Sequence, residues 1–244
     1  MQRFIQLALL LAFITPCANG QSHVASPNGK ITAEVHVTKG NAFGQPSLTI
    51  TYNNNGNNHT LFENLLTGLK TDSQNLTDSM RLISASSPSE VVEEYTMITG
   101  KKRLCSNHAF ERIYSFENPK GETMDLIVRA YNDGVAFRYR FSSIAEQEKI
   151  AEEATTYPIA EGIKRWSQPS RIDYEGFYTL TQSGISEPET LQQRSNSHWS
   201  YPMLLEPADS IFVLITEANI QRGQCGSQLN NAANSSAYRV LLAD

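Results

Sequence analysis

The residues that could do chemistry are scattered along this chain. His23, His36, His59, His108 and His198 fall at separations that match no metal-ligand spacing, and the cysteines form no zinc-type cluster. Ser186 stands in Gly184-Ile185-Ser186-Glu187-Pro188, which is half of a nucleophile elbow. Pro188 replaces the closing glycine of that frame and no strand-to-helix turn surrounds it, so a loop serine is expected. Glu93-Glu94 and Glu152-Glu153 are neighbours on the chain only. In strands such pairs point to opposite faces, and solvated surface is their expected place. No glycine-rich loop precedes a helix as a phosphate cradle would. No constellation here carries a reaction alone.

The elements that must position these groups are strands. In Tyr131 to Phe141, YNDGVAFRYRF, Phe137, Tyr139 and Phe141 alternate with Arg138 and Arg140. That is the period of a strand with one buried face. Asn132-Asp133-Gly134 precedes it as a tight turn, in residues that tolerate left-handed backbone. Leu126-Ile127-Val128 supplies the incoming strand. Alternation recurs at Ile31 to Val37, after Pro27-Asn28-Gly29, and at Leu48 to Tyr52, before the polar run Asn53 to Asn58. Val91 to Ile98, Ala109 to Phe116, Met203 to Leu205 and Ile211 to Thr216 are further strands, with turns at Asn118-Pro119-Lys120-Gly121 and Glu206-Pro207-Ala208-Asp209. Many short strands separated by turn residues predict an all-β sandwich. Ala145 to Ala154 is the exception, since its Glu, Lys and Ala content favours helix. No internal repeat or low-complexity linker divides the chain.

Composition narrows the setting. A chain of 244 residues can bury a sizeable core. The net charge is −5, with both signs mixed along the chain, so the basic stripe of a nucleic-acid binder is missing. Met1-Gln2-Arg3 followed by the apolar run Phe4 to Ile14 reads as a signal peptide, too short to span a bilayer. Ala18-Asn19-Gly20 is the expected cleavage site, which makes residues 1–20 the leader and Gln21 the mature start. A lipoprotein signal on Cys17 is the rival, disfavoured by Pro16 where a small residue belongs. No later stretch is long and apolar enough for a membrane span. An extracytoplasmic address, periplasmic or secreted, is expected. Cys105 and Cys225 then remain as a pair or as two independent thiols. The Asn-x-Ser/Thr sites at Asn58, Asn75 and Asn234 matter only in a glycosylating host.

Four blocks carry a resemblance. Lys101 to Phe141, with Asn107-His108 before one strand and YNDGVAFRYRF closing the hairpin, resembles the N-terminal domain of glycoside hydrolase family 97. Arg165-Trp166-Ser167-Gln168-Pro169 followed by Asp173-Tyr174-Glu175, Tyr201-Pro202-Met203-Leu204-Leu205 leading to Ile215-Thr216-Glu217-Ala218, and the opening Ser26-Pro27-Asn28-Gly29-Lys30 agree in order. The likeness covers essentially residues 24 to 244.

That resemblance implies an exo-acting α-glycosidase acting on α-linked oligosaccharides. It implies a large antiparallel β-super-sandwich, galactose-mutarotase-like, packed against a catalytic (β/α)₈ barrel. The barrel supplies the carboxylates of glycoside hydrolysis. The sandwich lends one glutamate, here Glu175, to a calcium ion whose other oxygen ligands come from the barrel. The sequence stops at Asp244, about where such a sandwich would end, so the barrel is expected to be absent and this chain inactive alone, with no catalytic residue of its own. The resemblance also favours strand over helix at Ala145 to Ala154. Glu217 is expected as a structural residue at the domain interface. Trp166 and Trp199 are either sugar-stacking platforms or packing residues. A free-standing carbohydrate-binding or scaffold sandwich without catalysis is the alternative.

Overall fold

The computed structural model describes residues 23–38, 43–141, 148–160, 162–169, 181–182, 197–220, 226–231 and 235–242. The signal segment 1–20, Glu175, Ser186, Asn234 and Cys225 lie outside the described residues.

Among the described residues nineteen strands form. The first six are β1 (His23–Ala25), β2 (Ile31–Val37), β3 (Pro46–Asn54), β4 (Asn57–Leu66), β5 (Leu69–Thr71) and β6 (Asn75–Leu76). Next come β7 (Arg81–Ala85), β8 (Ser89–Thr96), β9 (Leu104–Glu117), β10 (Thr123–Tyr131) and β11 (Gly134–Arg140). The rest are β12 (Ile150–Glu153), β13 (Thr156–Pro158), β14 (Lys164–Pro169), β15 (Thr181–Gln182), β16 (Ser197–Ala208), β17 (Ile211–Ile215), β18 (Gln228–Asn231) and β19 (Ala237–Leu241).

They assemble into three antiparallel sheets. The largest runs β1-β2-β3-β4-β13-β19-β18-β16-β14-β15, with β17 also pairing β16. The second runs β11-β10-β9-β7, with β8 also on β9, and the third is β12-β5-β6. The first two face each other, β10 and β11 packing over β1 and β2. One core joins them. Leu126, Val128 and Ala130 of β10 meet Ala33, Val35, Leu48 and Ile50, and the cluster continues into Met203, Leu205, Leu229 and Tyr238. The all-β sandwich expected from the alternation is therefore present.

Individual elements show what the pattern missed. The β10–β11 hairpin forms in the expected register, Val128 opposite Phe137 and Leu126 opposite Tyr139. Its turn nevertheless uses no left-handed backbone at Asn132, Asp133 or Gly134. Asn132 serves instead as an acceptor, its Oδ1 taking the backbone N–H of Asn28 at 2.9 Å. The left-handed turn is at Asn55-Gly56 between β3 and β4, with φ of 53° and 96°, the geometry an Asn-Gly hairpin favours. Of the expected helix at Ala145 to Ala154, residues 145–147 lie outside the described ones, and over Ile150 to Glu153 sheet pairing overrules the helical composition. Ile150 and Glu153 pair with Thr71 and Leu69, so β12 is a strand, and the Glu148 carboxylate accepts from Thr71 and Ser73. β16 runs through the expected turn at Glu206 to Ala208, because Glu206 pairs with Lys164 on β14.

A polar chain locks the facing sheets together. Tyr139, on the inward face of β11, accepts the N–H of Gly68 at 3.0 Å. Its hydroxyl lies 2.8 Å from Thr155 Oγ1, which itself donates to Glu153 Oε1 at 2.7 Å. With Glu153 ionised, Thr155 gives its one proton to that carboxylate, and Tyr139 is then the donor to Thr155. Gly68 is held to glycine here twice over: its φ is 137°, and a Cβ would stand 2.8 Å from the Leu76 carbonyl oxygen.

Tyr139→Phe removes an acceptor and a donor while keeping the ring. The buried Gly68 N–H and Thr155 hydroxyl then lose a partner, at a cost of about 1–3 kcal/mol. Urea denaturation should show a lower midpoint with an unchanged slope. An unchanged midpoint would mean that the chain of hydrogen bonds contributes nothing.

Candidate functional site

A cleft lies where β16 changes partner. On one side β16 pairs β14 from Glu206 opposite Lys164 to Trp199 opposite Pro169, with a register shift between Trp166 and Gln168. On the other side Ser197 to Trp199 pair with β18, whereas Met203 to Leu205 pair with β17. The hand-over falls at Tyr201-Pro202, and Pro202 has no N–H to give either neighbour. A cleft of about 400 Å³ opens there, lined by Tyr201, Pro202, Glu217, Ile220, Ser227 and Gln228. Glu217 holds its far wall together. Its carboxylate accepts the Ser227 N–H at 3.1 and 3.0 Å and the Ser227 hydroxyl at 2.6 Å.

Behind the cleft lies a cluster of tyrosines and a second carboxylate. The Tyr201 hydroxyl is hydrogen-bonded to Ser227 and Tyr157, and burial pushes it up from its ordinary value. Burial also raises Tyr157 and Tyr139. Glu153, at the end of the Tyr139–Thr155 chain, is raised above 4.5 by burial first, opposed by the Thr155 hydrogen bond and reinforced by the negative charge of Glu217. The two carboxylates thus sense each other across the tyrosine hydroxyls. Such an arrangement can orient hydroxyl-bearing ligands and hold or release a proton at Glu153. Among the described residues no group of three or more His, Cys, Asp or Glu gathers.

Other sequence candidates separate cleanly. Trp199 is 2% exposed and donates its Nε1–H to Asn231 at 2.7 Å, so it is core and offers no platform to a sugar. Trp166 stays at the surface side of β14 beside Phe212, with ring centroids 6.3 Å apart. Its register partner is Leu204, whose partner in turn is Leu214, so these three share one face across β14, β16 and β17. Arg165, 0% exposed, lies with its guanidinium 5.0 Å from the Tyr238 ring centre, and the Tyr238 hydroxyl is pushed up to about 12, chiefly by burial. His108 pairs with Glu90 at 2.8 Å, and Cys105 is a free, half-buried thiol.

Of the adjacent glutamates, Glu152 does face outward, to an ion pair with Arg239, whereas Glu153 turns into the cluster. Sequence reasoning missed Glu153, Tyr157 and Tyr201. The legible signal was Tyr139 itself, since a tyrosine inside an apolar alternation needs a partner for its hydroxyl.

A raised Glu153 makes the folded state bind a proton more tightly than the unfolded chain. Its contribution is complete below the ordinary carboxylate value and is lost as pH rises through the raised folded value. The tyrosines remain protonated across that window. Glu153→Gln retains the acceptor for Thr155 and removes the titration. Relative to wild type it should therefore gain stability as pH rises from 4.5 toward neutrality, read as thermal midpoints in parallel pH series. A constant difference between the two proteins would contradict the assignment.

Comparison with known proteins agrees with this architecture. Residues 24–243 match the family described as Glycosyl-hydrolase 97 N-terminal. A probable retaining alpha-galactosidase from Streptomyces bingchenggensis (strain BCW-1) is 23% identical over 98% of this chain and 36% of its own length. The crystal structure of a beta-arabinopyranosidase superposes with a TM-score of 0.77 at 21% identity, covering 91% of this chain and 35% of that one. A glycoside hydrolase family 97 enzyme from Pseudoalteromonas sp. strain K8, in complex with acarbose, gives 0.74 at 18% identity, covering 90% and 31%. The chain therefore spans about a third of the length of these proteins, and it belongs to the glycosyl-hydrolase 97 N-terminal family.

Proposed function

We propose that this chain is the sandwich portion of an exported, exo-acting α-glycosidase that hydrolyses α-glucosidic or α-galactosidic bonds. Its part is to dock a catalytic (β/α)₈ barrel and to lend Glu175 to a calcium ion beside the sugar site. The observation that carries the reading is the apolar row on β14, β16 and β17. Phe212 and Leu214 are each 57% exposed, and Trp166 and Leu204 continue the same face inward along the sheet. Apolar side chains aligned across three strands are costly to leave in water, at about 25 cal/mol per Å². A packed neighbouring domain removes that cost.

The donor set supports a shared metal site rather than a self-contained one. Calcium takes roughly six to eight oxygen ligands. Glu175, which falls between β14 and β15 in the sequence, would supply one carboxylate. The remaining oxygens would come from the barrel, and the ion would help orient carboxyls and sugar hydroxyls. The cleft between Tyr201, on the neighbouring strand β16, and Glu217, just past the end of β17, adds polar groups next to a proline ring. That lining suits a polyhydroxylated ligand.

The test joins this chain to the coding frame that follows codon 244. The joined protein should hydrolyse a p-nitrophenyl α-glucoside or α-galactoside and bind calcium by calorimetry, and Glu175→Gln should weaken calcium binding at least tenfold. The 244-residue chain alone should do neither. Calcium-independent binding of an α-linked oligosaccharide by the chain alone, unaffected by Glu175→Gln, would show a free-standing carbohydrate-binding module instead.

A further inference from the structure

The β8–β9 hairpin outruns its own sheet. β10 ends its pairing with β9 at Tyr131 opposite Ala109, while β8 and β9 stay paired as far as Thr96 opposite Leu104. One more backbone bond, from Met97 N–H to the Arg103 carbonyl, reaches the tip at 2.7 Å. Between Ala109 and the tip, each of these strands has only the other as a neighbour among the described residues. The result is a two-stranded finger, and such ribbons gain little from self-burial.

Its tip is apolar on both faces. Tyr95 shares a face with its partner Cys105, whereas Leu104 stands with Thr96 on the opposite face. Leu104 is 73% exposed and Ile98 is 100% exposed. Met97 is exposed as well. Lys101, Lys102 and Arg103 follow directly, so the segment from Tyr95 to Cys105 holds three basic residues and no acidic one, in a chain whose net charge is −5. Acidic residues sit lower on the shaft. Glu90 is paired with His108 and Glu93 with Arg129. Glu94 lies four residues before Ile98, at most about 13 Å along a strand.

We propose that this finger inserts its tip into the interface of an anionic lipid surface. A flat protein partner could cover one face of the ribbon, but apolar groups on both faces and at the end are covered together by a medium that surrounds them. Interfacial segments sink their apolar groups by ~5–10 Å, a depth that admits Ile98, Met97 and Leu104 and leaves Glu94 outside. Arg103 lies beside Met97 and Lys101 and Lys102 belong to the tip itself, so their apolar stems sink with it while their charged ends reach back to the headgroups, where each Lys or Arg adds attraction to anionic lipid. The inference is independent of the glycosidase reading, since the finger belongs to the five-stranded sheet and the barrel-docking row belongs to the larger one.

Cosedimentation of the chain with vesicles tests this. Vesicles of phosphatidylglycerol mixed with phosphatidylethanolamine should bring the protein down, and vesicles of phosphatidylcholine alone should not. Reversing Lys101, Lys102 and Arg103 to Glu together should lower partitioning about a hundredfold, roughly fivefold per basic residue. Ile98→Asp should lower it by roughly tenfold or more, with the denaturation midpoint of both variants unchanged because these side chains are exposed. Absence of binding to the anionic vesicles, or equal binding to phosphatidylcholine, overturns the proposal. So does self-association that Ile98→Asp abolishes, which would assign the tip to a second copy of the chain.

Discussion

A buried hydroxyl on one sheet that must be satisfied by the other is the constraint on which this structure turns. Tyr139 projects from the second sheet, yet both of its hydrogen-bond partners, Gly68 and Thr155, belong to the segments that link the third sheet to the first. Hydrophobic packing between sheets is non-directional and tolerates sliding by fractions of a residue. A hydroxyl with a defined donor and a defined acceptor does not. Because Thr155 spends its single proton on the ionised Glu153, the polarity of the whole chain is set, and Glu153 is drawn inward, where Tyr157, Tyr201 and Glu217 bear on it. The scaffold hairpin and the cleft are therefore parts of one hydrogen-bonded system.

Much of the fold was legible because it rests on alternation. β11, β2 and β3 announce themselves as apolar residues at every second position, and β17 as a short continuous apolar run. Elements whose stability comes from a neighbour were not legible. β12 has helical composition and becomes a strand because β5 offers it a ladder. β4 exposes half of its side chains, and its polar run Asn57-Asn58-His59-Thr60 reads as loop until β3 is set beside it. The Asn132 turn residue was recognisable as a turn, but its real partner, the N–H of Asn28, lies 104 residues away, beyond any local pattern.

The candidate site was legible only in part, for a similar reason. Glu217 stood out through its sequence block, whereas Glu153 looked like half of a solvated pair. Nothing in the dipeptide Glu152-Glu153 says which carboxylate turns inward; the ion pair with Arg239 takes one and the Thr155 hydroxyl takes the other. Trp166 and Trp199 were equivalent candidates on paper. Register separates them: Trp199 points to the core and to Asn231, and Trp166 points out to the row that includes Leu204 and Leu214. Two groups of exposed apolar side chains among the described residues thus differ in character. The row on the large sheet is flat and joins the strands around the cleft, while the β8–β9 finger is narrow, basic and wet on both faces.

The central claim, that the flat row is a docking face, can be read from tryptophan emission. The chain has two tryptophans; Trp199 is shielded at 2% exposed, so acrylamide quenching reports Trp166. The account predicts efficient quenching in the 244-residue chain and strong protection of the same residue when the chain is joined to the domain that follows. Equal quenching in both proteins would contradict it.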